Sequence, residues 1–386
     1  VHTLENLLAG ETRAEGERRT SYLELFFDLV FVFAITQVTA LILHDLSAGG
    51  IARGALVLGL VWWAWGGYAW LTNAVDTESA GVRVLFLGCT LASFFVALAV
   101  PRAFETDGVW FALPYLVLRV LHLGLYSWGL RADRDHQHAI VRLAPFFLVG
   151  PLIVLAGGFV EDENVRTAIW ALGLAIDTGG ALTASGFRVS ASHFAERYAL
   201  FVIIALGESI VAIGVGAAQL GHDFTFAVAV TIAFAGVAAL WWAYFDIIAL
   251  AAERSLRLAD EVTRPRLARD VFSYFHYPAI LGIILYAVAA ETTVAHPEDP
   301  LSRPARATLG LGVALFLSSA SLGRWRVLRK VAWERVIGAV VVVVVALAVS
   351  GLSAMWLVAL VVGILVVVVT AEAMRLYDFR ASLHAG

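Results

Sequence analysis

The chain carries acidic groups inside stretches that are otherwise apolar. "SYLELFFDLVFVFAITQVTALIL", residues 21–43, sets Glu24 and Asp28 four residues apart, on one face of a helix. Glu24 falls in the first turn, where a carboxylate suits the positive helix end as well as it would serve chemistry. Asp28 lies deeper. Two like charges at this spacing favour keeping one proton between them, which suits a proton carrier. Asp28 is expected to face the bundle interior, on a path toward Arg119 and Glu208.

"PYLVLRVLHLGLYSW" places Tyr115, Arg119, His122 and Tyr126 at i, i+4, i+7 and i+11, one continuous helical face. An arginine in mid-membrane needs a counter-charge or an aqueous cavity. A buried ion pair that merely fixes the bundle accounts for it equally well. "IIALGESIVAIGVG", residues 203–216, centres Glu208 in an apolar run. Glu208 is the first candidate for a functional carboxylate and for the partner of Arg119. Gly207, Gly214 and Gly216 are expected to permit close helix packing beside it.

Three weaker positions complete the set. Asp177 in "GLAIDTGGA" precedes Gly179 and Gly180, a pair expected to loosen the helix. Asp246 in "WWAYFDII" reads equally as a solvated helix-end charge, with Trp241 and Trp242 as interface anchors. His276 in "SYFHYPAI", two residues before Pro278, reads more readily as a hydrogen-bonded histidine than as a relay. Asp28, Tyr115, Arg119, His122, Tyr126, Asp177, Glu208, Asp246 and His276 are thus the candidates for proton coupling or solute binding. "RDHQHA", residues 134–139, groups Asp135, His136 and His138 at a spacing that matches no standard metal site. The sequence has no GxSxG, Walker loop, HExxH or GxGxxG before a strand. No catalytic set, metal or cofactor is expected.

The elements that must position these residues are transmembrane helices. Of the 386 residues, 60% are hydrophobic and 15% charged, too few polar groups to coat a soluble domain of this size. Mean hydropathy is +0.83. Apolar stretches about 20 residues long recur throughout. They fall at roughly 21–43, 51–73, 81–100, 108–130, 138–158, 165–184, 195–217, 224–250, 268–290, 305–323, 333–351 and 353–374. The fold class is all-α, a polytopic bundle of about 12 membrane helices. A net charge of −4 points to neither nucleic acid nor an acidic tail. Lys330 is the one lysine, and the single cysteine, Cys89, excludes an intrachain disulfide. The first twenty residues show no signal-peptide core, so the first span is expected to persist in the mature protein.

Basic residues set an orientation. With the N-terminus inside, 21 of the 27 fall in inside segments, five in outside loops, and Arg119 within a span. That bias favours both termini in the cytoplasm. The halves also match in order. "VWWAWGGYAWL" from residue 61 pairs with "LWWAYFDIIAL" from residue 240, and "TAIWALGLA" from 167 with "SAMWLVALV" from 353. Two parallel six-helix repeats follow, over residues 21–190 and 191–376, flanked by a cytoplasmic segment 1–20 and a tail 377–386.

Two segments carry a family likeness. "YLELFFDLVFVFAITQV" and "ERYALFVIIALGESIVAI" resemble those of the bacterial low-temperature-requirement A family, and the resemblance spans residue 20 to about 375. It implies a multispanning bacterial inner-membrane protein linked by its name to growth in the cold. Residue roles rest on physics alone. The expected function is proton-coupled secondary transport of a small polar or anionic solute, with lipid and protons as partners and no nucleic acid. The alternatives are a membrane-embedded enzyme acting on a lipid or isoprenoid, and a non-catalytic component of cold or envelope adaptation.

Overall fold

The structure, a computed structural model, describes residues 20–376 apart from 76–78, 131–133, 184–186, 188, 219–220 and 222. The expected tail and all but Thr20 of the N-terminal segment lie outside these residues. The described residues fold entirely as helices and their connections. They are α1 (Tyr22–His44), α2 (Ala48–Ala74), α3 (Ala80–Ala99), α4 (Gly108–Gly129), α5 (Arg134–Gly158), α6 (Glu163–Ala181) and α7 (Ala191–Ala217). Then come α8 (Phe224–Phe245), α9 (Ile248–Leu258), α10 (Thr263–Ala268), a π-helix (Arg269–Phe275), α11 (His276–Ala295), α12 (Arg303–Leu328), α13 (Trp333–Ala348) and α14 (Ala354–Arg375).

Serine and aspartate open many of these helices, as cap chemistry requires. Ser21, Ser47, Ser79, Asp162, Asp223 and Ser302 each accept from a backbone N–H of the following turn. All twelve expected spans fall on helices. Ten helical stretches are long and apolar enough to cross a bilayer. The exceptions are α6 and α13, the latter only 16 residues long.

One expected span is broken. The run 224–250 was expected as one helix, but α8 ends at Phe245 and α9 begins at Ile248. Asp246 is the C-cap of α8. In α9, "IALAAERSLRL", apolar residues alternate with Glu253, Arg254 and Arg257 at helical spacing, which makes it amphipathic rather than membrane-buried.

The helices form two compact units. One runs to Arg197 and takes in Asp260–Arg269. The other holds Tyr198–Ala259 and continues from Asp270. In the first, α1 packs on α2 and α3, the helices α3 to α6 pack in sequence, and α2 touches α4 and α6. In the second, α11 to α14 pack in sequence, and α8 touches α11 and α14.

Glycine lets backbones approach where neighbours cross. A Cβ on Gly150 would stand 2.7 Å from the Gly173 carbonyl, and one on Gly173 2.8 Å from that of Gly150, so α5 and α6 meet backbone to backbone. Gly282 and Gly312 do the same for α11 and α12. The expected loosening at Gly179–Gly180 is absent: α6 continues to Ala181, and Gly180 makes room for Phe146. Beside Glu208 the expectation also changes. Gly207 and Gly214 have open space, and only Gly216 meets a neighbouring backbone, that of Glu291.

Candidate functional site

The unit that ends at Arg197 contains two buried ionic clusters. The first joins α1, α2 and the start of α7. Ser21 and Glu24 form a capping box: Ser21 Oγ accepts from the Glu24 N–H, and Glu24 Oε2 accepts from the Ser21 N–H at 2.7 Å. The capping role expected of Glu24 is therefore present. Yet Glu24 is also buried, its Oε1 lying 3.1 Å from His193 Nε2 and 3.7 Å from Arg197 Nη1. One turn on, Asp28 Oδ1 accepts from Trp65 Nε1 at 2.8 Å and from Arg197 Nη2 at 2.9 Å. Arg197 also lies against the Trp65 ring, 5.7 Å from its centroid.

The geometry of this cluster follows from helical spacing. Glu24 and Asp28 are four residues apart on α1, and His193 and Arg197 are four apart on α7. Each pair lines one helix face, so the two faces meet in register. The cluster is fully enclosed, with Arg197 and His193 at 0% exposure. Arg197 Nε and Nη1 and Asp28 Oδ2 have no hydrogen-bond partner among the described residues.

The second cluster joins α2, α4 and α6. Arg119 Nη2 donates to Asp177 Oδ1 at 2.6 Å, with the two side chains 0% and 1% exposed. Arg119 therefore pairs with Asp177, and the expected pairing with Glu208 is corrected. Trp63 and Tyr115 also face the Asp177 carboxylate. The guanidinium carbon lies 4.8 Å from the centroid of the Phe147 ring. His122 Nε2 donates to the Gly67 carbonyl at 3.0 Å. Gly67 permits this contact, since a Cβ there would stand 2.8 Å from the His122 ring. Tyr126 packs edge-on against His122, completing the expected α4 face.

The comparisons with known proteins agree with this architecture. The family described as "Bacterial low temperature requirement A protein (LtrA)" matches residues 19–370. The chain belongs to that family. It is also 31% identical over 296 residues to the uncharacterized protein RA0937 of Rhizobium meliloti (strain 1021), covering 73% of this chain and 71% of the relative. The family and the ten long apolar helices make this a multi-pass membrane protein.

In this LtrA-family chain the remaining candidates for proton coupling or solute binding, Glu208, Asp246 and His276, lie in the unit beginning at Tyr198. Glu208 is buried on α7, with the Glu291 carboxylate of α11 near enough to interact. His276 is hydrogen-bonded at both ring nitrogens: Nδ1 donates to the Val271 carbonyl at 2.8 Å, and Nε2 accepts from Tyr244 at 2.7 Å. Asp246 is half-buried at the end of α8. The side chains of Asp135 and His136 lie outside the described residues, and no group of three potential metal ligands occurs among the described ones.

Sequence reasoning did not single out His193, Arg197, Trp65, Arg335 or Glu372. The signal for the first two was present. "SHFAER" carries an imidazole and a guanidinium four apart, the basic complement of Glu24 and Asp28.

Proposed function

We propose that this LtrA-family protein is a proton-coupled secondary transporter of a small polar or anionic solute. It resides in the bacterial cytoplasmic membrane with both termini in the cytoplasm. The carrying observation is the charge balance around Arg197. Two carboxylates, Glu24 and Asp28, share one permanent cation with one imidazole, His193, in an enclosed site. Buried charge is tolerated only when paired. Neutrality therefore requires one exchangeable proton, on His193 or on either carboxyl. Protonating Asp28 leaves Arg197 with Glu24, and protonating Glu24 leaves it with Asp28. The proton can move without stranding a charge. Arg119–Asp177 balances without any proton, which suits a structural pair.

The orientation draws support from the bias of basic residues between alternate connections. The six-plus-six reading draws support from equivalent helix pairings: α2 packs on α6 in one unit and α8 on α14 in the other.

The test is proton movement in proteoliposomes holding a pH-sensitive dye. A panel of small carboxylates, amino acids and polyols is added outside. One solute class should change internal pH with wild type and not with Asp28→Asn. Failure of every class to move protons, with protein folded and inserted, would overturn the reading and favour a non-catalytic membrane component.

A further inference from the structure

We infer that the unit beginning at Tyr198 holds a binding site for a single-chain amphiphile with an anionic head, a carboxylate or a phosphate ester. The site is a cavity of about 90 Å³ at the end of the unit where α8, α12 and α14 finish and α11 and α13 begin. On that scale a water occupies about 10–15 Å³, so the space holds several waters' worth of ligand, enough for part of an alkyl chain. Ile247, Ala251, Val271, Phe316, Leu328 and Leu376 supply an apolar wall.

The polar end of the cavity is cationic. Arg324, Arg335 and Glu372 line it. Arg335, 2% exposed, donates from Nε to Glu372 at 2.8 Å and from Nη2 to the Ala243 carbonyl at 3.0 Å. Its Nη1 is buried with no hydrogen-bond partner among the described residues. Arg324 lies 3.2 Å from Glu334 and 3.8 Å from Glu372, and Arg375 lies 2.6 Å from Glu334. Among the described residues of this cluster, three guanidinium groups thus face two carboxylates, leaving one positive charge. The adjacent Arg326 is balanced by Asp270 at 2.7 Å.

The neutral polar groups along the wall are already engaged. Tyr244 donates to His276, and His276 to Val271. Ser255 donates to the Ala251 carbonyl and Ser319 to that of Phe275. A ligand gains nothing polar from them, so recognition concentrates at the arginines. An anionic head answers the surplus charge beside Arg324 and Arg335, and an alkyl chain covers the apolar wall. The amphipathic helix α9 forms one side through Ile248, Ala251, Ala252 and Ser255. This site stands independently of the proton cluster around Arg197.

The experiment measures binding of radiolabelled dodecanoate to the full chain in nanodiscs, with empty discs subtracted. Saturable binding is expected, displaced by dodecyl phosphate and not by dodecanol or inorganic phosphate. Arg335→Gln should weaken it at least tenfold. Because Arg335→Gln disturbs a buried pair, Gly323→Leu supplies a second variant. Gly323 lines the cavity, and its added Cβ would have only Val271 nearby, at 4.0 Å. That variant should fold and lose dodecanoate by filling the space. Dodecanol competing as well as dodecyl phosphate would overturn the proposal, since the head would not be read. So would displacement by inorganic phosphate, which marks a free-anion site. Absence of saturable binding, or unchanged binding in a folded Gly323→Leu, would overturn it too.

Discussion

Arg197 donates to Asp28 across 2.9 Å while standing 3.7 Å from Glu24. One cation thus serves two carboxylates one helical turn apart, and His193 closes the set on Glu24. Asp28→Asn removes one carboxylate and leaves Arg197 balanced by Glu24 with no proton to exchange. Solute-driven proton movement should fall to the level of empty liposomes, with the protein still folded. Glu24→Gln should act in the same direction and should also weaken the start of α1, because its capping box loses a charged acceptor. Flux at several external pH values separates the effects. A variant that keeps wild-type pH dependence would remove the cluster from the mechanism.

Arg119 and Asp177 should behave as a structural pair. Asp177→Leu strands a buried guanidinium and should destabilise by about 3–5 kcal/mol. Replacing both with leucine removes the stranded charge and should recover most of that loss. Thermal unfolding of the two singles and the double in detergent gives the coupling. A double variant as unstable as the sum of its singles would contradict this. Proton movement in the double variant should persist, which separates this cluster from that of Arg197.

Close crossings and open glycines should part company on substitution. Gly150→Val drives a side chain against the Gly173 carbonyl and should cost about 1–3 kcal/mol, or more where the helices cannot separate. Gly207→Ala meets open space and should be neutral or stabilise by up to about 1 kcal/mol through helix propensity. Melting temperatures of the pair check both. Equal effects would mean that the α5–α6 crossing is looser than its geometry.

The contrast between Asp177 and Glu208 shows what the sequence carries and what it lacks. Apolar run length places twelve spans, because hydrocarbon thickness acts locally. Burial of the α4 face follows from helical period. The partner of Arg119 does not, because pairing depends on which helices touch. Depth held a hint. Arg119 lies 11 residues past Gly108 and Asp177 14 past Glu163, which at 1.5 Å per residue puts both about 16–21 Å from their helix starts. His193 and Arg197 were legible as a complementary i, i+4 pair, but a basic residue near a helix start reads first as an orientation signal. Arg335 and Glu372 are 37 residues apart on different helices, and no local period joins them. The break after Phe245 was obscured because α9 keeps enough leucine, isoleucine and alanine to extend an apolar run.

Asp260, outside the membrane helices, gives a pH-dependent expectation. Its carboxylate accepts from the Thr263 N–H at 2.8 Å, the Val262 N–H at 3.0 Å and the Thr263 hydroxyl at 2.9 Å. These bonds, those from Thr263 first, favour the ionised form and hold Asp260 below its ordinary 3.8. The ionised form is the bonded one. The turn leading into α10 should therefore be fully held above the ordinary value and be released as pH falls through the lowered one. Hydrogen exchange at the amides of Val262 and Thr263 reports this directly. Their protection should drop in that acidic window in wild type. In Asp260→Asn, which keeps an acceptor oxygen but does not titrate, protection should be lower and flat with pH. Wild-type protection unchanged across the window would show that another group holds the turn.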